Sequence, residues 1–544
     1  MVNEAWCLGI PSLGKCLYNP ASPGMSFFSI GEGISAVALI FVLYQLIDDI
    51  AKARIYIRRS ANYLAHFLFT LSMLSIFLAA ALPLIPGKAI PLIGYPIFWE
   101  FTAGIIFIIA ILVFLAVIKR PIRVTKRNCQ KYLDVTYKII ASNKESFLKQ
   151  FAIEIACSIK PVIKMANKTK NDIETIKKAH TLLILWSDKS FCKTIVNHAI
   201  LTLYTAINCV KSESNYENVP SQAFIQELIR QSITSDNSLL NRENEFYGLG
   251  LFKNMTMEIF GNYEFVISKY RPLDFKLKFY KEDGQTTIRY IKNYFMCLNT
   301  SLSSCIKNRA FKAAQNPFGL AFEEISRLST VMASKLRNIS EDIASDSHPY
   351  LILSEISRGF DQMLNVIYEY EIESDFNEEG YDYLYDQSIY GVVAWGLFKF
   401  FTSLSTCLAH DNLIRGLAVS IWLDVAGEVK ENDQILKRMI LHLKGKVNDN
   451  LTKGRYPMVI RLLLSLDGLA EPQMNPEKKT KIILFNYVME SLKTNYKLIF
   501  DKDPILAKVM LPENVTYDSQ EQLLMAKYFL SEDSTLKVGS EQLL

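Results

Sequence analysis

The sequence is short of the residues on which most enzyme chemistry is built. Histidine occurs six times in 544 residues, and the six are scattered. There is no H-E-x-x-H pair, no G-x-S-x-G elbow, no C-x-x-C and no G-x-G-x-x-G behind a strand. These absences argue against an enzyme and give no reason to expect a cofactor or a metal. Cysteine is also sparse: nine residues are too few for a disulfide scaffold in a chain of this length. Seven of them (Cys129, Cys157, Cys192, Cys209, Cys297, Cys305 and Cys407) fall mostly within apolar helical patterns and read as buried, reduced thiols. Charge of one sign is missing too. A net charge of +5 over this length is mild and gives no case for nucleic acid as the partner, which would want a basic face or stripe.

What is present in excess is apolar residues, at 50% of the chain, with a mean hydropathy of +0.13. The excess lies in the first 118 residues. Three runs stand out there, Phe27 to Ile47, Tyr63 to Leu84 and Ile97 to Ile118. At 1.5 Å of rise per residue, helices of about 20 residues cross the roughly 30 Å core of a bilayer. The sequence therefore predicts a mainly α protein: a three-helix transmembrane module over 27–118, then a large cytoplasmic all-α region. No cleavable signal peptide precedes the module, because residues 1–26 lack a basic start and the first apolar run is too long.

Flanking charge orients the module. Lys15 alone precedes the first run and Lys88 alone lies between the second and third. Lys52, Arg54, Arg58 and Arg59 follow the first run; Lys119, Arg120, Arg123, Lys126, Arg127 and Lys131 follow the third. Basic loops stay inside. The expectation is thus a multi-pass protein of the plasma (inner) membrane, with its N-terminus outside and its C-terminus in the cytoplasm. Lys119, Arg120, Arg123, Lys126 and Arg127 then face anionic headgroups, each worth about 1 kcal/mol near the surface. Cys7 and Cys16 fall on the exterior, where a disulfide is chemically allowed. The same segment fits the spacing G-x-x-x-x-G-K from Gly9 to Lys15, but Cys16 stands where a magnesium-binding hydroxyl is needed, and no strand precedes it.

Ionisable groups inside apolar spans carry functional weight because they are costly there. Glu32 and Glu100 lie at similar depth near the outer side; Gln45, Asp48 and Asp49 end the first run and His66 opens the second. One reading is two polar rings on a cation path. The other is that the carboxylates reach the headgroups and cap helices. Small residues (Gly31 with Ser35, Ser75 with Ala79, Ala103 with Gly104) suit both bundle packing and association of subunits, so a homo-oligomer is expected.

Beyond Ile118, residues 119–168 read as a basic connector continuing the third helix, with Pro161 as an interruption; 169–316 and 317–544 read as two helical domains. Leu320 to Ala344 and Tyr350 to Tyr370 are amphipathic, and Gly391 to Val425 reads as a pair of core helices, interrupted by Lys399 and Arg415. Helix pairs around the Glu282-Asp-Gly284 turn, and short helices in the tail including Gln520 to Leu530, complete the expectation. No fixed repeat period is visible, although stacked helix pairs fit the spacing. The glycines of Tyr247-Gly-Leu-Gly-Leu251 do not make a nucleotide site. Asp361 to Asp386 is acidic, tyrosine-rich and free of Lys, Arg and His, the pattern of a solvated loop. Cys407 and His410 form half a zinc site with no second half in sequence. Two functions survive: a sensor or interaction scaffold whose cytoplasmic domain binds a protein partner at the membrane, and a subunit of an oligomeric cation channel with Glu32 and Glu100 at its mouth.

Overall fold

In the computed structural model the protein is mainly helical. The described residues are 31–35, 38, 42, 45, 47–81, 96–167, 172–212, 219–245, 254–274, 284–339, 345–370, 388–407, 412–426, 434–456, 459–460, 462–463, 479–511, 515–518, 520, 523–530 and 537–542. The chain divides into two compact units, Met1–Leu228 and Ile229–Leu544.

In the first unit, Asp48 opens helix α1 (Asp49–Ile57) by accepting the Ala51 N–H at 2.8 Å. A carboxylate in that position satisfies one of the donors that every helix start leaves unpaired. Helices α2 (Arg59–Ala81) and α3 (Pro96–Lys119) follow. Among the described residues, two helices are long and apolar enough to cross a membrane, over Tyr63–Ala81 and Phe98–Lys119. The expected first span lies mostly outside the described residues; within it, residues 31–35, 38, 42 and 45 are helical.

α2 and α3 pack against each other through small residues. Ala65, Ser72, Ser75 and Ala79 are buried on one helix, and Ala103 and Ala110 on the other. Ser72 donates its hydroxyl hydrogen to the Ala103 carbonyl across the pair at 2.9 Å. Large side chains point away: Phe67, Phe77, Phe101, Ile108 and Leu112 are 50–68% exposed. A pair that buries alanine and presents phenylalanine inverts the rule for helices packed in water.

The expected helical continuation past Lys119 does not occur. Pro121 has no N–H to give a helix and restricts Arg120 before it. The chain runs without helix to Asn128 and then forms six helices, α4 (Cys129–Ser142), α5 (Glu145–Glu154), α6 (Ala156–Asn167), α7 (Ile173–Trp186), α8 (Lys189–His198) and α9 (Ile200–Ser212). Their contacts close a ring in the order α4, α7, α6, α9, α8, α5. Pro161 lies inside α6 and does not break it. Tyr132, Phe151, Trp186 and Phe191 fill the middle, each at most 2% exposed. Phe224, from α10 (Val219–Thr234), sits beside Trp186.

In the second unit, the short helices α11 (Leu239–Glu245), α12 (Asn254–Phe260) and α13 (Tyr263–Val266) lead into long ones. These are α14 (Gly284–Lys307), α15 (Phe311–Leu336), α16 (His348–Glu369), α17 (Ile389–Leu404), α18 (Asn412–Ala426) and α19 (Gln434–Thr452). α14, α16 and α18 stack in one layer, and α15, α17 and α19 in a second. Neighbours within a layer run parallel. Phe295 of α14 meets Phe360 of α16 and, farther along, Asn299 meets Gln362. In the other layer, Phe322 lies against Gly396 and Thr330 bonds Ser403. Parallel packing of alternate helices is what stacked helix pairs produce. Phe360 joins the layers, with ring centroids 5.5 Å from Phe295, 5.7 Å from Phe322 and 5.5 Å from Phe400. The boundary expected between 316 and 317 falls inside α15.

Thr286 to Tyr290, read as the second half of a turn-linked pair, belongs to α14; the preceding stretch 275–283 lies outside the described residues. The tail is not wholly helical. After α20 (Lys479–Lys502) and α21 (Pro504–Met510), strands β1 (Val515–Asp518), β2 (Leu523–Leu530) and β3 (Lys537–Gln542) form an antiparallel sheet. Leu523–Leu530, within the segment expected as a helix over 520–530, is thus strand. Its Tyr528 and Phe529 suit a pleated surface, and pairing on both sides settles the outcome over local preference.

Candidate functional site

The first unit concentrates its polar chemistry where the α2–α3 hairpin meets the helical ring. α1 is the hub, touching α2, α3, α4 and α5. The last carbonyls of α3 have no partners within the helix, as at every helix end. Here Arg54, in the last turn of α1, and Arg58, at its C-terminal end, supply them. Arg58 donates from Nη1 to the Val117 carbonyl at 3.0 Å and from Nη2 to that of Pro121 at 2.7 Å. Arg54 donates from Nη1 to the Ile118 carbonyl. Cations at a helix C-terminus also oppose its partial negative charge.

Arg54 faces the ring as well. Its Nη2 meets Glu154 Oε2 at 2.5 Å and its Nε meets Oε1 at 3.2 Å, a two-bond fork against a carboxylate only 5% exposed. Oε1 also accepts the Ile122 N–H at 2.6 Å. One turn on, Ser158 donates to the Ile122 carbonyl at 2.8 Å and accepts the Val124 N–H at 3.1 Å. Cys157 donates its S–H to the same carbonyl at 3.2 Å. The non-helical connector is therefore held by side chains of α5 and α6 much as a strand is held by a neighbour. Ile122 and Val124 are buried while Pro121, Arg123 and Thr125 are exposed, an alternation of period two.

Burial pulls the Arg58 guanidinium below its ordinary value, with Glu154 acting in the opposite sense. Burial also raises the Cys157 thiol and the Tyr132 phenol beneath it. The collar is thus a polar joint built around a buried carboxylate. Its chemistry is mechanical: it fixes how the end of α3 sits on the ring.

The residues expected to matter are distributed as follows. Arg54 and Arg58, read only as topology signals, turn inward and build the joint. Lys119, Arg120, Arg123, Lys126 and Arg127 surround it and are exposed. Asp48 caps α1, Gln45 and His66 are exposed, Glu32 is exposed and Glu100 is half-buried. Asp49 begins α1. Cys7, Cys16, the Gly9–Lys15 stretch, the Tyr247–Leu251 glycines, most of the acidic run and His410 lie outside the described residues. Cys407 is buried and gives its S–H to the Ala333 carbonyl at 3.3 Å. Among the described residues no group of three or more His, Cys, Asp or Glu could hold a metal. Sequence reasoning missed Glu154 and Ser158. The signals were a single acid in the apolar stretch Phe147–Met165 and the alternation after Pro121.

No protein-family model matches the chain, and no curated protein matches it. Among solved structures, it is similar to a circular tandem repeat protein with novel repeat topology and enhanced subunit contact surfaces. The two share 10% sequence identity at a TM-score of 0.21, over 83% of this chain and 88% of that one. A likeness of that degree assigns neither fold nor function.

Proposed function

We propose that this is an integral membrane protein in which the α2–α3 hairpin spans the bilayer and the helical units form a cytoplasmic interaction scaffold, coupled to the membrane through the Arg54–Glu154 collar. The observation that carries the reading is the joint itself. A passive anchor needs only a tether, whereas here both arginines and a buried carboxylate lock the end of α3 onto the ring. The hairpin's outward phenylalanines and leucines fit lipid, where helix pairs close through small residues and shared hydrogen bonds. The exposed cations around the joint then lie at the inner headgroups, with the chain beyond Lys119 in the cytoplasm.

Two measurements test this. Membranes from cells expressing the full chain should retain it through alkaline carbonate extraction, and an impermeant thiol reagent should label Lys126→Cys, at an exposed position, from the cytoplasmic side alone. Release by carbonate, or labelling from the opposite side, overturns the membrane reading. The channel alternative is separated by ion flux from proteoliposomes: flux lost in Glu32→Gln and Glu100→Gln would replace the scaffold reading.

A further inference from the structure

The second unit carries an open groove of about 930 Å³ along α14 and α16. Because the two helices run parallel and in register, their polar residues arrive in rungs across it. Lys292 and Arg358 both reach Glu355 Oε2, at 3.8 Å and 2.8 Å. About two turns on, the Asn299 amide faces Gln362 Oε1 at 3.4 Å. At the far end, Ser303 bonds the Tyr370 hydroxyl at 3.0 Å. The helices approach closely enough for this because Gly359 has no side chain: a Cβ there would lie 2.2 Å from the Phe295 ring.

Two groove atoms have no partner among the described residues, although both are buried: Arg289 Nε, a donor, and Asn299 Oδ1, an acceptor. Buried polar atoms are normally paired, and both of these belong to side chains that line the groove. Ten residues of helix separate them by about 15 Å, a distance that an extended chain covers in four to five residues at about 3.3 Å each. Small-molecule pockets are mostly apolar. This groove sets carboxamides, hydroxyls and charge, the groups that pair with peptide N–H and C=O, beside apolar Met257, Ile288, Phe295, Met296 and Val366. Four cations (Arg289, Lys292, Lys307 and Arg358) stand against two carboxylates, Glu355 and Glu369. Lys292 and Arg358 are already paired with Glu355, Arg289 is paired with Asp236, and Lys307 lies over the Tyr370 ring, so a ligand's carboxylates would share these cations with the protein's own acids.

We propose that this groove binds an acidic polypeptide segment in extended conformation, its backbone held at the Asn299–Gln362 rung and its carboxylates by Arg289, Lys292 and Arg358. Glu355 and Glu369 on the walls disfavour a continuous phosphate backbone, which separates the site from a nucleic-acid groove. The inference rests on the scaffold reading and gives the partner a chemistry.

The test uses the full chain in detergent micelles and fluorescence polarisation. The probes are a labelled Glu-Ser repeat peptide of about ten residues, long enough to span the groove, a Lys-Ser repeat of equal length, and an oligothymidylate. The Glu-Ser peptide is expected to bind at least about tenfold more tightly than the other two. Arg358→Glu, at an exposed position, should reverse the preference between the peptides. Asn299→Ala should weaken binding about tenfold and leave the preference intact, with helicity and melting unchanged in both variants. Equal binding of the two peptides, tighter binding of the oligonucleotide, or no response to Arg358→Glu or Asn299→Ala overturns the proposal. Carbonate extraction and ion flux do not involve the groove, so the scaffold reading stands or falls separately.

Discussion

Arg54 and Glu154, a hundred residues apart in sequence, meet at 2.5 Å as a two-bond ion pair, and Glu154 also holds the Ile122 N–H. Removing one partner strands the other. Glu154→Ala leaves a guanidinium and a backbone N–H without their acceptor and should lose about 3–5 kcal/mol of stability. Arg54→Met with Glu154→Met removes both charges and should recover the share of that loss due to the stranded charge, while the Ile122 N–H and the Ile118 carbonyl still lose these partners. Denaturant melts of the purified chain measure both. A double variant no more stable than Glu154→Ala would show that the pair is not the unit that matters.

The hairpin seam is built for alanine. Ala103 is fully buried where α3 meets Ser72 of α2. Ala103→Leu should cost about 1–3 kcal/mol by overpacking, whereas Leu112→Ala, at a position 60% exposed, should leave α2–α3 packing intact. Thermal melts in detergent compare the two, and equal effects would argue against the seam.

Phe360 stacks on Phe322, meets Phe295 edge-on and Phe400 at a tilt, and is fully buried. Phe360→Ala should destabilise the second unit by about 3–5 kcal/mol through the cavity it leaves. Hydrogen exchange should show the loosening in α14 through α17. Unchanged protection there would mean that the layers are joined elsewhere.

Burial raises the Glu355 carboxyl above its ordinary value, while Lys292 and Arg358 pull it down. A raised carboxyl holds its proton longer in the folded state than in the unfolded one. Its contribution to stability is therefore best in acid, falls as pH rises through the window between the two values, and stays low above it. Glu355→Gln removes that loss, so its stability relative to wild type should be higher at about pH 7 than at about pH 4. A relative stability independent of pH would contradict the assignment.

Thiol chemistry should follow burial. Cys129, Cys192, Cys209, Cys297, Cys305 and Cys407 are buried, whereas Cys157 is exposed as a residue although its thiol, bonded to the Ile122 carbonyl, is partly covered. Burial pushes Cys129 up to about 11 and Cys305 up to about 12. Among these seven, native alkylation followed by mass spectrometry should modify Cys157 first and the rest only after unfolding. Equal labelling of Cys305 and Cys157 would contradict the packing.

Helices that announce themselves locally were legible in the sequence. Ser347 and Pro349 mark the start of α16, and its apolar stripe runs unbroken to Ile367. The core pair α17 and α18 was legible from its interrupting charges. What depends on residues far apart was not. Arg54 looks like any loop cation until Glu154 is placed beside it, and β2 reads as an apolar helix until β1 and β3 pair with it. The groove needed the parallel register of α14 and α16, which no single helix reveals.

The arginine grip on α3 has a consequence for motion. The carbonyls of Val117, Ile118 and Pro121 are held at once by Arg58 and Arg54, and Arg54 is held in turn by α5. A slide of α3 along its axis by a single residue, about 1.5 Å, breaks every one of these bonds unless α1 and α5 travel with it. The hairpin and the ring are thus geared rather than hinged, and a push along α3 reaches the ring as displacement of a solid body.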